Sequence, residues 1–277
     1  MLKKYFGEQP LHGFFLPEMA YSPATAKLVK TLGYKWLILD EISAANSDGD
    51  LSMPQRDANS GLTVVFRNRG VSQSYVPQRI LEMASNDNCT VITATDAELY
   101  GLRHVDVSGH LEQALRRNDI ITKTISAFIN DNPTEKKISV LRSSWESTPK
   151  ELRERLPYAL WYNKTNDIQM KLWRLARLAL QTTKNHAHDA QANWALWRLR
   201  RGLASCTFWW ASGKKVSAWE ELSWNPDEIE RGLNELIKSI RALDDTTTRA
   251  IKVRAEKLYV VIKQLIWSKH WTYYWKK

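Results

Sequence analysis

Cysteine is nearly absent: Cys89 and Cys206 are the only two in 277 residues. They are too few for a disulfide framework, and neither stands in a CxxC or zinc-ligand spacing. Long apolar runs are missing as well, and no stretch approaches the roughly 18 residues that a membrane-spanning helix requires. The first residues, MLKKYFGEQPLHG, carry positive charge but no apolar core segment and no small-residue cleavage site, so no secretion signal is expected. A reducing, aqueous compartment follows as the default, with the cytoplasm the simplest choice. No helix-turn-helix, zinc-finger or RNA-binding motif is found either.

The charge is uneven. The net +10 would point to nucleic acid if it were spread along the chain, but residues 1–130 hold 13 Lys or Arg against 14 Asp or Glu, and the remainder 27 against 16. The basic field belongs to the C-terminal half, where it would attract anions of many kinds. Arg198, Arg200 and Arg201, with aromatics nearby, are the residues that a phosphate-binding or partner-binding helical module would use.

Two periodicities divide the chain. In the first half, apolar and β-branched runs at Lys35–Asp40 (KWLILD), Thr63–Arg67 (TVVFR) and Thr90–Thr95 (TVITAT) read as strands, with Gly13–Leu16 a further one. Helices are expected at Ser22–Leu32 and Pro77–Ala84, and a surface loop at Asn46–Ser60. Near-continuous apolar strands with helical crossovers predict an α/β fold with parallel strands. After Asn132 the period becomes helical, over Thr165–Thr183, Ala190–Trp210, Asp227–Leu243 and Thr248–Trp267, and 12 of the 13 tryptophans lie at or beyond Trp145. The expected organisation is a partial β/α barrel over 1–132, a linker over 133–163 and a helical bundle over 164–277.

Each apolar run ends in polar groups: Glu18; Asp40 and Glu41; Arg67 and Asn68; Asp96 and Glu98. In parallel sheets and barrels the carboxyl ends of the strands open on one face, where binding and catalysis take place. Paired carboxyl groups on such a rim suit glycosidic bond cleavage, in which one attacks the anomeric carbon and the other protonates the leaving oxygen. Glu18 and Asp96 are the candidates from position alone. Against them stands the plainer reading that Asp96 caps a turn and Glu18 only follows a proline. Glu41, after its strand, is a lesser candidate for binding sugar hydroxyls, or a cap for the residues that follow it.

Two motifs extend this reading. The stretch FLPEMAYSP, with Phe15, Leu16, Pro17 and Glu18, and the stretch DAELYG, Asp96 to Gly101, resemble the fourth- and seventh-strand motifs of glycoside hydrolase family 57. The segments 156–180 and 195–212 are similar to the first bundle helix of that family and to the bundle helix that it brings to the cleft. The resemblance implies an incomplete (β/α)7-type barrel followed by a helical bundle, acting mostly on α-glucans. It further implies Glu18 as nucleophile, Asp96 as general acid/base, and Glu98, Trp209 and Trp210 beside the substrate. No metal or organic cofactor is called for.

Three positions depart from the family pattern. Only 17 residues precede Glu18, so the first three barrel strands are expected to be missing and to come from a separate chain, if the chain is one part of a split or truncated enzyme. Cys206 stands where the family's bundle helix presents an Asp, and a thiol lacks the strong acceptors of a carboxylate. Leu102 stands where a His commonly follows the seventh-strand glycine. A catalytically silent remnant of the family is therefore the alternative to a retaining hydrolase or transglycosylase, and an oligo- or polysaccharide is the expected ligand.

Overall fold

The computed structural model describes residues 7, 11–44, 49–84, 89–97, 100, 106–216 and 222–274. The chain divides into two compact units, Met1–Leu152 and Arg153–Lys277. The segment 133–163, expected to be a linker, contains this boundary and adds a strand to the first unit.

The first unit is α/β. Among the described residues its five strands are β1 (Gly13–Phe15), β2 (Trp36–Asp40), β3 (Gln55–Asp57), β4 (Thr63–Arg67) and β5 (Lys137–Ile138), in the order β1-β2-β4-β3-β5. β1, β2 and β4 run parallel, while β3 is antiparallel to β4 and parallel to β5. Among the described residues five short helices accompany them: α1 (Pro23–Thr31), α2 (Arg69–Ser72), α3 (Val76–Ala84), α4 (His110–Arg116) and α5 (Ile125–Asp131). α1 begins as its sequence requires: the Ser22 side chain accepts from the Thr25 amide at 3.1 Å, and Pro23 occupies the first turn, where its missing N–H costs nothing.

The pleat sorts the apolar strands to two faces. Leu37, Leu39, Val64 and Phe66 pack with Ala26 and Val29 of α1, whereas Ile38 and Val65 point the other way onto Ile92 and Phe128 of α5. β2 and β4 are thus buried on both sides, which is why their sequences read as continuous apolar runs.

Two expectations need correction here. The stretch 46–60 is not all loop: β3 lies within it, and Asp57 is buried where it accepts from Tyr21 Oη at 2.9 Å and from the Ser60 amide at 3.1 Å. The hairpin from β3 to β4 closes through Gly61 at φ 72°, a left-handed turn that suits glycine. The run Thr90–Thr95 forms no strand. Its contacts with the sheet rim are single ones, with the Asn68 amide donating to Ile92 O at 2.7 Å and Arg67 Nη1 to Ala94 O at 2.7 Å. A β-branched run supplies strand propensity but no ladder, and here one backbone amide, that of Asn68, and the side chains of Arg67 and Ser72 meet it instead of a paired strand.

A one-turn helix α6 (Pro149–Arg153) straddles the boundary between the units. The second unit is helical: α7 (Asp167–Asn185), α8 (Ala192–Gly202), α9 (Ser205–Trp209), α10 (Pro226–Arg241) and α11 (Asp245–Tyr274). α10 is central and packs against the other four. Its buried Ile229, Leu233, Leu236, Ile237 and Ile240 follow the 3.6-residue period. Asn225 starts it, its Oδ1 accepting from the amides of Asp227 and Glu228.

Ala190–Trp210, expected as one helix, is broken between α8 and α9. At Gly202 an added Cβ would lie 2.7 Å from Leu236 Cγ, so α8 ends in close contact with α10. The chain then turns, placing Thr207 against Gly232, where a Cβ would meet Thr207 Oγ1 at 1.9 Å. Buried Gln169 of α7 ties the segment before it to α9, donating to Leu160 O at 2.7 Å and Phe208 O at 3.0 Å. Among the described residues no helix is long and apolar enough to cross a membrane.

Candidate active site

The carboxyl ends of β1, β2 and β4 form one rim of the first unit. Asp40 and Arg67 are the last residues of β2 and β4 and stand opposite each other in the ladder. Beyond β1 the chain enters a short 3-10 turn, Pro17–Met19. Leu16 is buried in the core on one sheet face and Met19 in the core on the other. Crossing between faces within three residues forces Glu18 to φ 58° and Met19 to φ 46°. Left-handed backbone at non-glycine residues costs about 1–3 kcal/mol each and persists only where surrounding structure imposes it.

That surrounding structure is the loop 143–147. Tyr21 N donates to Ser143 O at 2.8 Å, and Trp145 N to Glu18 O at 3.2 Å. The Trp145 indole Nε1–H donates to Glu18 Oε2 at 2.9 Å, fixing the carboxylate as well as the backbone. The other side of the loop is held by Arg69, whose Nη2 donates to Ser147 O at 2.9 Å.

Beneath lies a buried ion-pair hub. Asp40 Oδ2 accepts from Arg67 Nε at 2.6 Å, and its Oδ1 from Arg69 Nη1 at 2.8 Å and from the Ile42 amide at 3.0 Å. The Arg67 guanidinium also lies 4.9 Å from the centre of the Trp145 ring, a cation–π contact. Glu41 accepts from the Arg69 amide at 2.9 Å and from Asn68 Nδ2 at 3.2 Å. It thus ties the β2 end to the start of α2, rather than capping the residues that follow it.

Glu146, absent from the candidates named from sequence, is partly buried beside these groups. Burial pushes its carboxyl above the ordinary glutamate range. The Arg69 and Arg67 guanidinium groups pull it back, while Glu18 and Asp40 push it up.

The structure therefore brings Glu18 together with Asp40, Arg67, Arg69, Trp145 and Glu146. Asp96 is exposed, two residues beyond the Ala94 carbonyl that Arg67 holds. Glu98 and Leu102 lie outside the described residues. Trp209 and Trp210 belong to the second unit, half-buried and packed edge to face at 4.4 Å. Cys206 is exposed on α9. Arg198, raised as a phosphate ligand, donates to both oxygens of Glu235 at 2.9 and 3.1 Å and lies against the stacked rings of Trp194 and Trp197. Trp145 and Glu146 went unmarked because SSWES has no periodicity; their one signal is a Trp–Glu pair inside a polar stretch.

Comparisons with known proteins give the family and the fold. The sequence model of Glycosyl hydrolase family 57 matches residues 1–141, just over half of the chain, and the chain belongs to that family. Among solved structures, the GH57-type branching enzyme from the hyperthermophilic archaeon Pyrococcus horikoshii superposes with a TM-score of 0.60 at 18% identity, over 93% of this chain and 63% of that one. The 4-α-glucanotransferase from Thermococcus litoralis gives 0.53 at 13% identity, over 88% and 43%. The α-amylase AmyC from Thermotoga maritima gives 0.56 at 12%, over 96% and 67%. At these identities the likeness shows the fold, and the chain spans less than two thirds of the first two proteins. No curated protein matches in sequence.

Proposed function

We propose that this chain acts on α-glucans as a retaining glycoside hydrolase or transglycosylase, with Glu18 as the nucleophile. The observation that carries the reading is the setting of Glu18: a carboxylate at the carboxyl end of a parallel strand, on left-handed backbone, its Oε2 fixed by Trp145. Such a carboxylate is pre-oriented, so little of the barrier is spent in ordering it. The substrate class rests on the named activities of the structural relatives: a branching enzyme, a 4-α-glucanotransferase and an α-amylase.

In the reaction, a Glu18 oxygen attacks the anomeric carbon as the glycosidic bond breaks, and a carboxylic acid protonates the departing oxygen. By motif position that acid is Asp96. The glycosyl ester on Glu18 is then released to water or to a sugar hydroxyl, the deprotonated acid taking back a proton. Glu98, Trp209 and Trp210 are proposed to line the sugar path. β1 has a partner strand on one side only among the described residues, and a strand added at its other edge, from a separate chain, would enlarge the rim.

Two measurements test the reading: turnover of malto-oligosaccharides, and trapping with 5-fluoro-α-glucosyl fluoride, which forms a slowly released ester. An adduct on the peptide bearing Glu18, lost in Glu18→Gln, is the expected result. Malto-oligosaccharide binding without turnover or adduct would refute it and mark a chain that keeps the fold without the chemistry.

A further inference from the structure

We propose that a basic groove of the helical unit, running along α7 and bordered by Arg254 of α11, binds the phosphates of a small nucleotide of the nucleoside diphosphate class. The groove lies wholly within the second unit, so the proposal does not rest on the reading of Glu18.

The period of α7 builds the groove. Ile168, Leu172, Leu175 and Ala179 turn into the bundle core. The next stripe around the helix carries Lys171, Arg174 and Arg177, and with Arg254 these cations line a groove of about 470 Å³. Sites for small ligands usually hold about 300–1,000 Å³. Lys171 and Arg177 are six positions apart, about 9 Å of helix, so the positive charge is gathered over the length of a small molecule.

That charge is not balanced from within. Lys171 is paired with Asp167 at 2.6 Å. Arg174, Arg177 and Arg254 are exposed, and among the described residues none of the three meets a carboxylate. Other arginines of the same unit do: Arg198 and Arg201 pair with Glu235, Arg231 with Glu228 and Arg241 with Glu256. Like charges three or four positions apart repel along a helix. α7 therefore gives up stability to carry Lys171, Arg174 and Arg177 together, and an anion in the groove restores it.

The side-chain types narrow the anion. Guanidinium forks match phosphate oxygens two at a time, and three of the four cations are arginines. A neutral sugar would leave them unused. The groove also has an apolar wall of Met170, Trp173 and Leu178. Trp173 is rigid, because its Nε1–H donates to Trp161 O at 2.8 Å and its ring stacks on Phe208 at 4.1 Å. An inorganic diphosphate would use the cations and leave this wall bare, whereas a nucleoside diphosphate uses both.

Isothermal titration calorimetry of the full chain in low-salt buffer, with ADP, inorganic diphosphate, adenosine and an oligothymidylate as probes, tests the site. ADP is expected to bind about 10-fold more tightly than inorganic diphosphate, through apolar burial against the wall, and to weaken as salt is added. Adenosine should not bind up to about 1 mM. Arg177→Ala and Arg254→Ala should each weaken ADP by about 10-fold, the loss of a hydrogen-bonded charge. Arg177→Lys, which keeps the charge without the fork, should fall between the parent and Arg177→Ala. Lys238→Ala, at an exposed cation of α10 outside the groove, should change nothing. No binding of ADP up to about 1 mM, or ADP binding indifferent to Arg177→Ala and Arg254→Ala, overturns the proposal. Equal affinity for ADP and inorganic diphosphate, or adenosine binding as tightly as ADP, refutes the nucleotide. Oligothymidylate binding more tightly than ADP refutes it too and marks a groove for nucleic acid.

Discussion

Asp40→Ala tests whether the rim depends on its ion-pair hub. The substitution removes the counter-charge of Arg67 and Arg69 and the acceptor of the Ile42 amide at once. The two arginines differ in what they do next. The Arg69 side chain is 23% exposed and can turn to water, but that of Arg67 is 4% exposed and keeps only the Ala94 carbonyl and the face of Trp145. Stranding one buried charge costs about 3–5 kcal/mol, and for a unit of this size each kcal/mol lowers Tm by about 2–4 °C. The midpoint of the first unit should therefore fall by roughly 6–20 °C in a thermal scan followed by near-UV circular dichroism. Arg69→Ala should cost far less, because Asp40 keeps Arg67 and the Ile42 amide. Asp40→Leu combined with Arg67→Met should recover part of the loss, since an apolar pair of similar volume strands no charge, while the Ile42 amide and the Ala94 carbonyl still lose their partners. An Asp40→Ala midpoint within 2 °C of the parent, taken as about the effect of under 1 kcal/mol, would refute the claim that the hub is buried and intact in solution.

Trp145→Phe keeps a ring beneath Arg67 but deletes the donor to Glu18. A hydrogen bond to a charged acceptor contributes about 1.5–3 kcal/mol, so adduct formation at Glu18 should slow by about 10- to 100-fold, and an unchanged trapping rate would refute the role of the indole N–H. In the second unit, Gly232→Ala drives a methyl into Thr207 and should destabilise the bundle by about 1–3 kcal/mol, partly regained with Thr207→Ala in denaturant titrations. For Glu146, the folded-state carboxyl titrates above its ordinary 4.5. Between those two pH values the native chain binds more protons than the unfolded one, so stability declines as pH rises through the window. Glu146→Gln should therefore unfold at higher denaturant than the parent above that window and lose the advantage below pH 4.5.

Much of the first unit is legible in its sequence because burial on two faces leaves a plain mark. KWLILD and TVVFR are apolar throughout and end in Asp40 and Arg67, and both form strands of the sheet. β3 is not legible: it is three residues, QRD, and its burial comes from the Asp57 hydrogen bonds rather than from apolar pattern. TVITAT misleads in the opposite sense, with the composition of a strand and no ladder. The family match runs over residues 1–141, whereas the partners of the Glu18 carboxylate are not legible. Trp145 meets Glu18 across 127 positions of sequence, and a contact of that span is decided by the sheet between them. The break after Gly202 was equally hidden, because it is dictated by Leu236 on another helix.

Charge balance at the rim constrains what Glu146 can do. Arg67 and Arg69 bring two positive charges; Asp40 and Glu18 bring two negative ones. The Glu41 carboxylate is taken up by the start of α2 through the Arg69 amide and Asn68. A further ionised carboxylate would be a surplus charge in a partly desolvated cluster whose two guanidinium groups are already engaged, and the simplest escape is to keep a proton. Neutralising Glu18, by substitution or by a glycosyl ester, removes one negative charge and makes room for Glu146 to ionise. The same balance links the hub to Glu146. If Asp40 were lost, the negative charge that helps push the Glu146 carboxyl up would go with it. Asp40→Ala should then lower the Glu146 titration toward 4.5 even in the folded chain, and carboxyl-carbon NMR below the unfolding midpoint reads it. A Glu146 signal that stays in place would mean that burial alone sets its proton affinity and that the hub contributes only structure.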